Sequence, residues 1–292
     1  MTQPISQPPA REIKGEIEKE HIRFFETGKQ LKEIIAQTLS VKTETNNKDI
    51  EKIIKSNVED IKDLFETYLT MLQDVAEEYD FWGWIEPDEH LVYLTHLNAG
   101  LKIYTMLTGD NAAQVRQKLS ELENEVYKTL SLMYTLIVSK KSSRLKTIED
   151  IINSSVKVYA NRAINNINTL FCKLENVKIE NEVIKMLLGR VVEEAKKFRE
   201  ELEKFKSEKV KITSVDDIIA FMKKFSKLLE QSAVAAMWTE LIYEEDEEFY
   251  EELNIQYLLD SAYKGLMFVV KALRGEEIGW FEEKNEKRSK TT

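Results

Sequence analysis

Between residues 90 and 109 the sequence HLVYLTHLNAGLKIYTMLTG carries a single charged side chain, Lys102, in a chain where 32% of residues are charged. A helix that is apolar around most of its circumference has no face to offer water. The rest of the chain must therefore supply helices that surround it. The wider segment 79–109 also holds two of the four Trp, two of the three His and three of the nine Gly. Its length suits a membrane span, and Trp82 and Trp84 would suit an interfacial belt. Thr95, His96, Asn98, Gly100 and Lys102 interrupt its hydropathy, however, and a buried core helix is the expectation.

The surrounding sequence supplies such helices. Ile13, Ile17, His21, Phe24, Gly28, Leu31 and Ile35 follow a three-four spacing that places them on one helical face. Ile50, Ile54, Val58, Ile61, Phe65, Tyr68, Leu72 and Val75 do the same over residues 48–79, with Asn47 as an expected N-cap. Pro87 opens the central helix, where its missing N–H is harmless, and Gly109 closes it. Val115, Leu119, Leu122, Val126, Leu130, Met133 and Ile137 form a heptad-like, coiled-coil-like stripe. A fifth helix is expected to start at a Thr147–Asp150 capping box and to bury Ile148, Ile152, Tyr159, Ala163, Ile167, Leu170 and Leu174. A sixth buries Ile184, Leu188, Val191, Ala195, Phe198, Leu202 and Phe205. After the connector SEKVKITS, Thr213 and Ser214 compete to cap a seventh helix that buries Ile218, Phe221, Phe225, Leu228, Met237 and Leu241. A last helix is expected over residues 249–273, ended by Arg274 and Gly275.

Few Gly and Pro remain for turns, nine and four respectively, which disfavours a β-rich fold. The fold class is therefore all-α: about eight mostly long antiparallel helices in one large or two adjoining bundles. Residues 1–10 read as an N-terminal arm and 11–206 as a bundle around the central helix 88–107. Residues 214–282 read as a C-terminal helical segment that could share the same core, and 283–292 as a polar tail.

Several chemistries lack their motif. The single cysteine, Cys172, excludes an intramolecular disulfide and a cysteine-based zinc site. Lying among Leu170, Phe171 and Leu174, it reads as a buried, inert thiol. Glu18 and His21 have the Glu-x-x-His spacing of di-iron bundles, but His90 and His96 lack the matching Glu that a second copy needs. His21 thus reads as a core histidine. No Arg shortly precedes a His as in helical RNases of the HEPN type. Glu77-x-x-Asp80 could be half of the paired acidic motif of helical nucleotide pyrophosphatases, without its upstream partner. Gly-rich phosphate loops and Gly-x-Ser-x-Gly elbows are absent. No catalytic residue, cofactor or metal is assigned on this reading.

Charge supplies the remaining clue. The net charge of −10 disfavours non-specific nucleic-acid binding, which needs clustered Lys and Arg. Small basic patches at Lys140, Lys141, Arg144 and Lys146, and at Lys196, Lys197 and Arg199, are offset by neighbouring Glu. The distinctive run is acidic: Glu240, Glu244, Glu245, Asp246, Glu247, Glu248, Glu251 and Glu252, with Tyr243, Phe249 and Tyr250 interleaved. Its default role is a solvated helix end. Its sharper role, assigned to residues 244–248, 251 and 252, is docking a protein partner, for which a basic surface would be the complement.

The expected function is a non-catalytic interaction protein: a scaffold, adaptor or regulatory subunit. One alternative is an acidic inhibitor that mimics nucleic acid in another protein's groove. Another is a divergent metal-dependent enzyme using Glu77, Asp80, Glu89 and His90. With one cysteine and no apolar leader-like run near the N-terminus, a cytoplasmic location is expected. The oligomeric state is open.

Overall fold

The computed structural model describes residues 10–39, 48–78, 87–140 and 144–253. Among them the chain forms helices and no strands, so the all-α expectation holds. In order these are α1 (Ala10–Thr38), α2 (Lys48–Glu78), α3 (Pro87–Thr108), α4 (Ala113–Lys140), α5 (Arg144–Ile151), a π-helical turn (Ile152–Val156), α6 (Lys157–Leu174), α7 (Glu182–Ser207), α8 (Val215–Glu245) and α9 (Glu247–Leu253). Asn47, Trp82, Trp84 and the segment beyond Leu253, including Arg274 and Gly275, lie outside the described residues, as do the side chains of His21, Leu72 and Val75.

α3 is the central helix that the sequence demands. No residue between His90 and Thr108 is exposed. α2, α4 and α8 pack around it, while α1 closes the far side of a four-helix ring by packing on α2 and α4. Pairs such as Tyr68 with His90 and Ile61 with Gly100 run α2 antiparallel to α3. α8 then joins this ring to α7, and α7 carries α6. The stripes of α1, α2, α4 and α8 contribute to the main core, including Leu31, Ile54, Phe65, Leu122 and Phe225. All seven apolar residues expected on the inner face of α7 are buried.

How can a helix containing Thr, His and Lys be buried? It satisfies its polar groups on itself. Thr95, Thr105 and Thr108 each donate to the carbonyl four residues back, at 2.5, 2.9 and 2.8 Å. His96 Nδ1 lies 2.8 Å from the Val92 carbonyl; a carbonyl only accepts, so Nδ1 is the protonated nitrogen. Lys102, the one charge between His90 and Thr108, is satisfied from outside the helix, reaching Glu194 of α7 at 2.9 Å.

Gly100 explains how closely α3 is held. A Cβ at this position would lie 2.7 Å from Ile61 Cγ1 and 3.3 Å from Met237 Cε. Glycine inside a helix costs about 1 kcal/mol relative to alanine, so its presence here reflects the approach of α2 and α8 rather than helix propensity. α8 is a second enclosed helix that sequence periodicity did not single out. Its stretch Ser232–Val234–Ala235 and Trp238–Thr239 is buried, including Trp238 at 1% exposure.

Local chemistry settles the helix ends. Asn181 caps α7 by accepting from Val183 and Ile184 amides. Ser214, not Thr213, caps α8, through a capping box with Asp217. Asp217 also accepts from the Thr213 amide and hydroxyl, and these bonds hold its carboxyl down at about 2. The expected start of the fifth helix at Thr147 is incorrect: Thr147 lies inside α5, which begins at Arg144. The expected single helix is also broken by the π turn. There Asn153 and Ser154 donate side-chain hydrogen bonds to the carbonyls of Glu149 and Asp150, 2.9 and 2.6 Å away. Side chains that bond back four residues compete with the backbone ladder and deform it.

Replacing Gly100 by Ala should destabilise the fold by about 1–3 kcal/mol, because Ile61 must shift within a packed core. Urea unfolding checks this; an unchanged midpoint would mean that the α2–α3–α8 contact is looser than described.

Candidate functional site

The acidic run occupies a corner where α8 ends and α9 begins. α8 stops because Asp246 leaves the helix with an extended backbone, φ −157° and ψ 90°. The Asp246 carboxylate then accepts from the Phe249 amide at 2.9 Å, which starts α9. Glu247 and Glu248 fall in the first turn of α9, where negative charge is favoured by the helix dipole. This is a structural reason for part of the run.

The corner is anchored from below. Tyr250 and Leu253 are buried in a second apolar cluster with Trp238, Leu241 and Ile242. Tyr243 packs edge-on against Tyr250 with ring centres 5.2 Å apart, and its hydroxyl donates to Glu247 at 2.9 Å. That bond raises the Tyr243 phenol above its usual range. Lys173 of α6 donates to the Leu253 carbonyl at 3.1 Å. Glu245 turns inward and pairs with Lys52 of α2 at 2.7 Å, so one member of the run is neutralised from another helix.

What remains outside is a set of exposed carboxylates, Glu247, Glu248 and Glu251, beside the exposed Tyr243. Among the described residues none of these three carboxylates pairs with Lys or Arg. Asp246 is half-buried. The side chains of Glu244 and Glu252 lie outside the described residues.

His90 is placed differently from a surface catalyst. It is 5% exposed, its Nδ1 shares a hydrogen bond with Tyr68 Oη at 2.9 Å, and Phe24 packs on its ring. Burial pushes the Tyr68 phenol far upward, with Glu125 adding to the effect. Glu77, Asp80 and Glu89, the other residues of the enzymatic alternative, have side chains outside the described set. Among the described residues no three His, Cys, Asp or Glu side chains converge as a metal-holding group. No described helix is long and apolar enough to cross a membrane. A groove of about 400 Å³ between α1 and α4 is lined by Gln30, Glu33, Ile34, Gln114, Gln117, Lys118 and Glu121. That lining is far more polar than the apolar walls typical of small-molecule sites.

Cys172 is exposed, against the expectation of a buried thiol. Its apolar neighbours in sequence do not share its face: Leu170 is fully buried whereas Cys172, two positions on, points the other way around the helix. Of the basic patches, Lys197 pairs with Glu193 and Glu194, Arg199 donates to Asn168, and Lys146 pairs with Glu149 and Asp150.

Sequence reasoning missed two interior charge groups. Glu194 is fully buried between Lys102 and Lys197. Glu20, 6% exposed, takes Arg23 at 3.1 Å and Lys128 of α4 at 2.5 Å. Nearby, Glu125 accepts weakly from Thr27 at 3.5 Å, while its Oε2 is buried without a donor among the described residues. Nothing in a one-dimensional pattern separates these Glu from solvated ones.

No protein-family model matches the chain, and comparisons with curated proteins and with solved structures give no match.

The interior carboxylates set a pH dependence. Glu123, Glu125 and Glu230 all have raised pKa values, with burial the largest cause; Glu230 adds to it at Glu123, Glu20 at Glu125 and Glu194 at Glu230. A carboxyl raised on folding contributes stability below its unfolded value, and that contribution is lost as pH rises through the folded value. His96 works oppositely. Burial lowers its pKa, so its contribution is present above the usual His range and lost on acidification. The Glu125 share is isolated by comparing Glu125→Gln with the parent. The variant should gain in relative melting temperature as pH rises from about 5 to 7. A difference that stays constant over this range would refute the assignment.

Proposed function

We propose that the chain is a non-catalytic helical interaction protein, a scaffold, adaptor or regulatory subunit, that engages a basic protein partner through the α8–α9 corner. The observation that carries this reading is the corner's combination of rigidity and open charge. Buried Tyr250 and Leu253 fix its backbone, yet Glu247, Glu248 and Glu251 face solvent. Like charges held together repel one another, and a complementary surface relieves that repulsion and accelerates encounter. Tyr243, 44% exposed, adds the amphipathic ring that interfaces favour. A fixed corner also loses little conformational freedom on binding. The partner is expected to meet this surface with Lys and Arg, and the protein to work in the cytoplasm.

The test places a photo-cross-linking residue at Glu248, and a control at exposed Glu182 of α7, in the full chain. Extract of the cells that make the protein supplies the partner, and mass spectrometry identifies it. The Glu248 probe should capture a basic protein that the control does not. With that protein purified, the triple variant Glu247→Gln, Glu248→Gln, Glu251→Gln should weaken binding at least about tenfold at low salt, and the parent complex should weaken steeply as salt rises. Unchanged affinity in the triple variant would remove the corner from the interface. If the captured protein is a nucleic-acid-binding one and DNA or RNA competes with the corner, the inhibitor reading takes precedence over the scaffold.

A further inference from the structure

α5 is attached to the protein in an unusual way. Among the described residues its main helix contacts are with the π turn that follows it rather than with another long helix. Instead α5 and the π turn lie along the extended connector 208–214, between α7 and α8. Two side chains bridge them. Asn153 Oδ1 accepts from the Val210 amide at 3.0 Å, and Asn153 Nδ2 donates to the Val210 carbonyl at 2.7 Å. The second Nδ2 hydrogen has its own acceptor, the Glu149 carbonyl, so both amide hydrogens and the amide oxygen are engaged. One turn earlier, Glu149 Oε2 accepts from the Ile212 amide at 2.9 Å, and its Oε1 pairs with Lys146 at 2.6 Å. These bonds hold the Glu149 carboxyl below its usual range. Asn153 thus pairs with one connector residue as a neighbouring strand would. The π turn is the local distortion in which Asn153 sits.

The same two segments also supply apolar side chains to the main core. Ile148 and Ile152 from one side and Ile212 from the other are buried in the main core, with Val210 partly covered. Both ends of the connector are already non-helical: Glu208 has φ −76° and ψ 142°, and Ser214 φ −145° and ψ 170°. The helices it joins are packed on each other without it. Phe205 of α7 lies 6.0 Å from the Phe221 ring and 6.5 Å from the Phe225 ring of α8.

We propose that Glu149 and Asn153 form a latch, and that the α5–π unit and the connector open from one another as one cooperative step while the α7–α8 pair stays folded. The step uncovers the core side chains of the α5–π unit and the connector but leaves the α7–α8 contact closed, so it costs less than global unfolding. Opening uncovers Ile148, Ile152 and Ile212, giving the protein an apolar surface that the closed form hides. The chain thereby has two forms for a ligand or partner to choose between.

Native-state hydrogen exchange on the full chain, read by NMR, tests this. In the parent protein the Val210 and Ile212 amides should share one opening free energy, and both should exchange faster than Phe198 in α7 and Val234 in α8. Asn153→Ala removes the two bonds to Val210 and the one to the Glu149 backbone carbonyl, and leaves the Glu149 carboxylate that the Ile212 amide uses. The latch requires that Ile212, whose own acceptor is untouched, accelerates with it by the same factor, about 10- to 100-fold. Glu149→Ala should produce the reciprocal effect at Val210. Acceleration confined to the residue that lost its bond overturns the proposal, as does equal acceleration at Phe198 and Val234. If neither variant folds, the parent measurement still decides: different opening free energies at Val210 and Ile212 refute the latch.

Discussion

The contact that the rest of the structure depends on is the crossing of α2, α3 and α8 at Gly100. Ile61 and Met237 occupy the space that a side chain there would fill. α3 can therefore sit at the centre of the ring and still touch α8, which opens the route to α7 and α6. A larger residue would displace Ile61 of α2 and crowd Met237 of α8, next to the second cluster, where Ala99 and Ile103 of α3 meet Val234, Trp238 and Leu241 of α8. The acidic corner hangs from the end of that same α8. Its position relative to Lys52 on α2 is thus set by a packing event two to three turns away.

Charge is handled in two ways. On the surface, Lys–Glu pairs one turn apart, such as Lys118 with Glu121 and Lys204 with Glu201, contribute little individually. Inside, Glu194 is fully buried and takes two ammonium groups, Lys102 and Lys197. Such a pair is weak evidence for stability, since a hydrophobic substitute could pack as well. It does fix register. Lys102 is the only charge on α3 beyond its first turn, and it finds its carboxylate when α7 stands at one height relative to α3.

Much of this was legible because periodicity reports on one helix at a time. Where the side chains of α1, α2, α4 and α7 are described, the expected stripes are buried or partly buried, since an amphipathic helix declares its buried face residue by residue. The encirclement of α3 followed from its lack of charge. What could not be read depended on partners distant in sequence. Glu194 looks like its neighbour Glu193 until Lys102 is placed beside it. Glu245 belonged to the open acidic run until α2 brought Lys52 within 2.7 Å. Cys172 failed for the opposite reason: apolar neighbours in sequence were taken as neighbours in space, although adjacent helical positions lie about 100° apart.

The π turn joins these two kinds of information. Locally, Asn153 and Ser154 disfavour a regular helix because their side chains compete for backbone carbonyls. The apolar residues Ile148, Ile152, Ala163 and Ile167 nevertheless favour a helix, and that spacing prevailed in the reading of residues 147–174. Which tendency wins is decided by Val210, 57 residues downstream. Its amide and carbonyl would lack partners in the extended connector, and a buried backbone group without one is costly. Asn153 supplies both. The distortion in one segment is therefore the satisfaction of another. Where a connector lies against a helix instead of a strand, a side-chain amide is the group with the geometry to complete it.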